Sequence, residues 1–185
     1  MNWTDLFNGL FIFLPAGIAN ATPVIASKIK ALDFLDKPID FGKSYKGIRI
    51  FGDHKTLRGF ITGIIMAIIT ILLQQALVQN NPQLQDHLYI KYNEINPLIF
   101  GILAGTGALL GDAVKSFFKR RTNIKPGEAW FPFDQIDYII GGTIFLSYYL
   151  KDFPILYLAI LIIYFLLHLI STFIGYLLKL KDKPI

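Results

Sequence analysis

Gly111–Asp137, GDAVKSFFKRRTNIKPGEAWFPFDQID, is the stretch that decides how the chain reads. It starts at the end of an apolar run, at Asp112. It passes through Lys115, Lys119, Arg120, Arg121 and Lys125, and closes on Asp134 and Asp137 just before another apolar run. Acidic ends around a cationic middle, at a membrane boundary, suit a metal–phosphate substrate. Mg²⁺ takes one or two carboxylates and draws further ligands from phosphates. Lysine and arginine offset the remaining phosphate charge. Asp112, Lys115, Ser116 and Lys119 are spaced by three and four and share a helix face. An ionisable group near the end of a span needs a partner. A plain Asp112–Lys115 or Asp112–Ser116 pair satisfies that need, and so does a ligand. Asp134 and Asp137 suit a helix N-terminus and its dipole. Two carboxylates there, facing a third at Asp112, exceed what a cap requires.

Working outward, the 185 residues are 54% hydrophobic and 17% charged, well below the roughly 25% charge of soluble domains. Mean hydropathy is +0.49. The expectation is an all-α, polytopic membrane protein with about five transmembrane helices and a single membrane-embedded domain over 1–185. Candidate spans run from about Leu6 to Ile25, Leu57 to Val78, Pro97 to Phe118, Ile136 to Leu150 and Pro154 to Leu178. The fourth is short, and the expectation is that it either tilts little or borrows from Phe131–Phe133. The first has no basic leader and no small-residue cleavage site, so it reads as a retained span. There is no cysteine, which excludes disulfides and thiolate metal sites.

The net charge of +5 sits in the loops, so it speaks for orientation and for nucleotide or lipid phosphates rather than nucleic acid. The first loop, about 28–56, and its flank hold Lys28, Lys30, Lys37, Lys43, Lys46, Arg49, Lys55 and Arg58. The second, about 119–135, holds Lys119, Arg120, Arg121 and Lys125, and the tail adds Lys179, Lys181 and Lys183. The opposite side has only Lys91 and Lys151. The positive-inside rule puts both basic loops and the C-terminus in the cytoplasm and the N-terminus outside. The 79–96 segment becomes an external loop with no visible chemistry.

In the first loop, glycines 42, 47, 52 and 59 alternate with Lys43, Lys46, Arg49, Lys55 and Arg58. Such turns aim N–H groups at anions, or simply make a turn-rich topology anchor. Thr56 is placed to cap the second span. Asn20, in ANATP, either decorates a kink at Pro23 or is placed against a ligand by it. His168, alone on an apolar helix, reads as a packed histidine.

Together these motifs resemble the CDP-archaeol synthase family, related to the CDP-diacylglycerol synthases. The matching blocks are Asn20–Pro23, Pro38–Lys43, Gly52–Gly59, Gly111–Arg120 and Pro132–Asp137, in order over most of the chain. Relative to the bacterial synthases, Pro126 follows Lys125 where they have Asp, and Gln135 replaces Arg. The resemblance implies transfer of a cytidylyl group from CTP to a dialkylglycerol phosphate with isoprenoid ether chains, with Mg²⁺ as cofactor and pyrophosphate as the second product. It implies Asp112, Asp134 and Asp137 as metal-binding and catalytic carboxylates, with Lys119 also catalytic. It implies Asn20, Pro23, Lys43, Asp53, Lys55, Thr56, Arg58, Lys115, Ser116, Arg120 and Gln135 as substrate-binding residues. The site would sit at the cytoplasmic face of the cell membrane, where CTP meets a bilayer-held acceptor. The alternatives are a synthase acting on fatty-ester phosphatidic acid, a CTP-dependent polyprenol or phytol kinase, and a small transporter. A transporter would place its charges near the midplane in related repeats, and no repeat is visible.

The orientation is testable with single cysteines. Gln85→Cys should react with an impermeant thiol reagent in intact cells and Ser44→Cys should not. The reverse pattern would put the basic loops on the wrong side for CTP.

Overall fold

The structure, a computed structural model, describes residues 1–122, 124 and 128–177. Lys125 and the tail lysines Lys179, Lys181 and Lys183 lie outside the described residues. Helix α1 (Trp3–Ala26) starts at a capping box in which the Asn2 side chain accepts the Asp5 N–H and the Asp5 carboxylate accepts the Asn2 N–H. It runs unbroken through Pro15 and Pro23. A 3₁₀ segment (Lys30–Leu35) and a small hairpin, β1 (Ser44–Tyr45) with β2 (Ile48–Arg49), lead to α2 (Leu57–Asn80). The one-turn α3 (Pro82–Gln85) and a 3₁₀ turn (Tyr92–Glu94) precede α4 (Pro97–Arg121). Asn96 caps α4, and Pro97 takes the first helical position, where a missing N–H does no harm. Then come α5 (Phe133–Phe145), the one-turn α6 (Ser147–Leu150) and α7 (Ile155–Leu177).

The protein is an all-α, multi-pass membrane protein. Among the described residues, four helices, α1, α2, α4 and α7, are long and apolar enough to cross a bilayer. The fourth apolar segment is built differently. Helix α5 has 13 residues, which reach about 20 Å at 1.5 Å each, against a hydrocarbon core of about 30 Å. The chain breaks at Leu146 and resumes as α6. Leu146 and Leu150 are fully buried, so the break is packed inside the protein rather than offered to lipid. As the aromatic run suggests, α5 begins at Phe133.

Connection 81–96, most of the segment expected as an external loop, is a structural plug. Its Leu88, Tyr92 and Ile95 are buried. Asn8 of α1 donates to the His87 carbonyl (2.8 Å) and accepts the Tyr89 N–H (2.7 Å), while the Tyr89 hydroxyl donates to Asp5 (2.6 Å). Gln75 of α2 donates to the carbonyls of Tyr92 and Ile95, both at 2.7 Å.

Helix α4 is the hub, packing on α5, α2 and α1. Glycines on two of its faces set the spacing. Toward α2, a Cβ at Gly101 would lie 2.6 Å from the Ile68 backbone, and one at Gly105 would lie 2.9 Å from that of Ile64. Toward α5, a Cβ at Gly107 would lie 2.7 Å from the Gly141 carbonyl oxygen, and one at Gly111 only 2.2 Å from that of Asp137. Close backbone approach through small residues is how helices associate in lipid, where hydrophobic burial drives little. Asp112 and Asp137 lie on this seam.

Gly111→Ala should force α4 and α5 apart. A destabilisation of about 1–3 kcal/mol is expected from overpacking, read as a lower melting temperature in detergent, together with loss of activity. An unchanged melting temperature would show that the seam is looser than drawn.

Candidate active site

The site forms where the C-terminal end of α4 meets the start of α5. Asp112, Lys115 and Lys119 share one face of α4; Asp134 and Asp137 stand three apart on α5. Lys115 Nζ lies 3.2 Å from Asp112 Oδ1, 2.7 Å from Asp134 Oδ1 and 3.0 Å from Asp137 Oδ2. One ammonium thus gathers three carboxylates from two helices. Lys119 Nζ lies 3.1 Å from Asp134 Oδ2 and also donates to the Glu128 carbonyl. Lys55, from the first loop, pairs with Asp112 Oδ2. The cluster is secluded: the Lys115 side chain is 14% exposed and that of Asp137 is 5% exposed. Charges so withdrawn from water are tolerated only when mutually paired. Capping does not describe Asp134. The cap position of α5 is Pro132, without a side-chain cap bond. Asp134 instead accepts the Trp130 N–H and two lysines of α4.

The first loop is tied down by Asp40, whose side chain is fully buried. Its Oδ1 accepts the Gly42 N–H (3.0 Å) and Arg49 Nη2 (2.8 Å); its Oδ2 accepts the N–H groups of Phe51 and Gly52, both at 2.9 Å. Burial alone would raise this carboxyl. Arg49 and the N–H groups of Gly52, Phe51 and Gly42 outweigh burial and hold it well below the usual carboxylate range. The hairpin turns at Lys46 and Gly47, with φ of 53° and 77°, the positive pair of a two-residue type I′ turn. Phe51 then carries the loop to α4: its carbonyl accepts Arg120 Nε at 2.7 Å. Gly52 has φ 87°, and a Cβ there would sit 1.7 Å from the Arg120 guanidinium. Glycine is needed at 52 for both the backbone and the cation lying on it.

The residues singled out in the sequence thus divide. Lys55, Asp112, Lys115, Lys119, Asp134 and Asp137 converge, with Arg120 beside them on the loop. Ser116 donates to the Asp112 carbonyl (2.9 Å). Thr56 caps α2 through the Gly59 N–H (3.2 Å), as expected. Pro23 packs on Gly59, where a Cβ would lie 3.0 Å from its ring. Arg58 is buried, and its guanidinium goes to Asp33 (2.8 Å) and Asp36 (3.0 Å) rather than to the carboxylate cluster. Asp53 is exposed and pairs with Arg49 at 2.8 Å. Lys43 is exposed, and its backbone N–H is bonded to the Asp40 carbonyl. Gln135 is buried with its Oε1 unpartnered among the described residues. It lies two turns before Gly142, which packs on Phe13 and Ala16 of α1. The half-buried Asn20 lies two turns beyond Phe13, on the same stripe of α1. Arg121 stacks on Phe117 at 3.4 Å, outside the cluster. Sequence reading assigned no role to Asp40; its one signal is an acid two residues before the positive-φ Gly42 in a glycine-rich loop.

A groove of about 670 Å³ runs between α4 and α5. Its walls include Val114, Phe118, Phe133, Ile140 and Ile144, and Lys115 and Asp137 also line it. Two members of the charged cluster therefore belong to an apolar channel as well.

Among the described residues, no three His, Cys, Asp or Glu side chains stand as a ready-made metal cage. The donor chemistry still fits Mg²⁺. The carboxylates are hard oxygen ligands already focused on one cation, and Mg²⁺ needs only one or two of them beside substrate phosphates.

With this geometry in view, comparison with known proteins is specific. A family model described as CarS-like CDP-archaeol synthase matches residues 3–185. A CDP-archaeol synthase of Methanopyrus kandleri is 35% identical over 98% of this chain and 95% of its own. One of Methanocaldococcus jannaschii is 34% identical over 96% of each. A solved structure, described as an intramembrane enzyme for archaeal membrane lipids biosynthesis, superposes with a TM-score of 0.69. It shares 30% identity and covers 90% of this chain and 93% of that one.

Asp40 supplies a test of the loop. Asp40→Ala leaves the Phe51 and Gly52 N–H groups and Arg49 without their shared acceptor. Hydrogen exchange at 42–55 should accelerate at least tenfold, and activity should fall as Lys55 and Arg120 lose their support. In the unchanged protein the carboxyl is depressed, so its stabilisation is complete above the ordinary aspartate value near about 4. It is lost only as pH falls below that value toward the depressed one. Loop protection that faded between pH 7 and 5 would contradict this.

Proposed function

The chain belongs to the CDP-archaeol synthase family, and from that premise we propose that it transfers the cytidylyl group of CTP to a dialkylglycerol phosphate bearing isoprenoid ether chains. A phosphate oxygen of the acceptor attacks the α-phosphorus of CTP. The bond from that phosphorus to the bridging oxygen breaks, and pyrophosphate leaves. The observation that carries the reading is the sharing of Lys115 and Asp137 between the charged cluster and the apolar groove. The reaction needs a polyanionic nucleotide and a bilayer-bound acceptor to meet at one point.

The demands on the protein are electrostatic and positional. Both reactants are polyanions, and the lipid phosphate is ionised near neutral pH, so no strong base and no covalent nucleophile is required. Bound Mg²⁺ would supply positive charge to the reacting phosphate oxygens and the leaving pyrophosphate. Asp112, Asp134 and Asp137 are the residues that would hold it. Lys55, Lys115, Lys119 and Arg120 balance phosphate charge. The first loop brings Lys55 over the cluster, and the groove between α4 and α5 receives isoprenoid chain, leaving the phosphate at its polar end. The proposal includes a single domain, with the site at the cytoplasmic face, where the basic loops lie and CTP arrives.

The experiment is turnover of purified protein with CTP labelled in the cytosine ring or in the γ-phosphate, offered ether-linked and ester-linked acceptors. The proposal expects cytosine label on the lipid and γ-label in pyrophosphate; γ-label on the lipid would identify a kinase instead. Asp134→Asn and Asp137→Asn should each lower turnover by roughly 10² or more, since a lost ligand at a phosphoryl centre removes several kcal/mol. Each variant leaves Lys115 two of its three carboxylates, so the protein should still fold, and partial rescue at high Mg²⁺ or by Mn²⁺ would point to direct ligation. Near-normal rates for both variants would sink the metal assignment.

A further inference from the structure

The carboxylate cluster already holds a cation of its own. Lys115 Nζ stands within 3.2 Å of Asp112, Asp134 and Asp137, at the focus a metal ion would share. Lys55 and Lys119 add two more ammonium groups on Asp112 and Asp134. Three carboxylates face three lysines, and the formal charge of the group is near zero. A divalent cation arriving alone meets no net attraction, and its ligands are engaged. CTP arriving alone finds the lysines occupied by carboxylates.

We propose that Lys115, seconded by Lys55, is an exchangeable counter-ion: when metal and nucleotide bind, the ammonium groups leave the carboxylates to the metal and re-pair with phosphate oxygens. The inference rests on the cytidylyltransferase reading. The side chain suits the exchange, because a lysine head on a flexible four-carbon stem re-aims its three donors without moving its helix. Lys115 also lines the groove between α4 and α5, so an outward swing carries its head toward a lipid phosphate seated there. Lys55 comes from the first loop, just ahead of the α2 cap at Thr56. Each exchange conserves ion pairs: carboxylate–lysine and metal–phosphate pairs become carboxylate–metal and lysine–phosphate pairs. Metal and CTP therefore bind with positive coupling, each raising the affinity of the other by the same factor. The lysines act as a latch against metal binding without substrate.

The test measures binding, without turnover. Purified full-length protein in detergent is titrated with Mn²⁺ alone, followed by the resonance of free Mn²⁺. It is then titrated with CTP at saturating Mn²⁺, without lipid acceptor. Lys115→Met and Lys55→Met keep much of the stem and remove the charge. The proposal expects Mn²⁺ alone to bind each variant at least tenfold more tightly than it binds the unchanged protein, while CTP with Mn²⁺ binds at least tenfold more weakly. A lysine with a merely structural role would weaken both or leave both unchanged. If Lys115→Met fails to fold, Lys55→Met carries the test. Intact CTP binding by the unchanged protein, with no tightening of Mn²⁺ in the folded variants, overturns the exchange alone. No binding of CTP with Mn²⁺ by the unchanged protein overturns the functional reading beneath it.

Discussion

The close approach of α4 and α5 is the constraint on which the site depends. Gly107 and Gly111 on one helix and Gly141 on the other leave carbonyl oxygens where side chains would otherwise stand, with a Cβ at Gly141 reaching 2.2 Å from the Gly107 oxygen. Only at this spacing can one lysine of α4 reach both carboxylates of α5 and the one on its own helix. The order of cause runs from missing side chains to helix distance to charge geometry. The seam runs right up to the charges: Gly111 directly precedes Asp112, and a Cβ there would meet the Asp137 carbonyl oxygen. The seam also explains why α5 can be short. A 13-residue helix with no full crossing of its own is held by backbone packing on α4 and by Gly142 on Phe13 and Ala16 of α1.

How much of this was legible in the sequence depends on the range of the interaction. The four long helices are readable because a lipid-facing helix announces itself over some 20 consecutive residues. The Asn96–Pro97 start of α4 and the Thr56 cap of α2 follow from local rules. Asp112 with Lys115, and Asp134 with Asp137, follow from helical spacing. That Lys115 should take all three carboxylates at once does not follow, because it depends on how closely α4 and α5 approach. Lys55 meeting Asp112, 57 positions away, is a tertiary fact of the same kind.

The first loop was legible as a glycine–cation pattern and illegible as a machine. Its cations divide their labour in a way no spacing reveals. Arg49 goes to Asp40 and Asp53, Arg58 to Asp33 and Asp36, and only Lys55 reaches the carboxylate cluster. Alternating charge along a chain says nothing of which partner each charge will find, because partners are chosen by burial. Asp40 wins Arg49 and three N–H groups because it is enclosed. A buried carboxylate with several donors organises a loop more firmly than any exposed ion pair, whose net worth is about 0–1 kcal/mol. Arg58, 6% exposed, does for the start of α2 what Asp40 does for the hairpin.

The division sets the site's logic. An enzyme joining a water-borne polyanion to a lipid phosphate must gather positive charge at a membrane edge without becoming a sink for stray anions or cations. Here some of the cations are spent in holding the loop's shape, and those at the centre are neutralised by aspartates until a substrate competes for them. Burial of the cluster sharpens that competition, because a charge pair released from a secluded site needs a replacement pair and cannot turn to water. The glycine seam, the enclosed loop and the lysine at the focus of three carboxylates thus serve one requirement: charge must be concentrated where the groove ends, yet stay balanced at every stage.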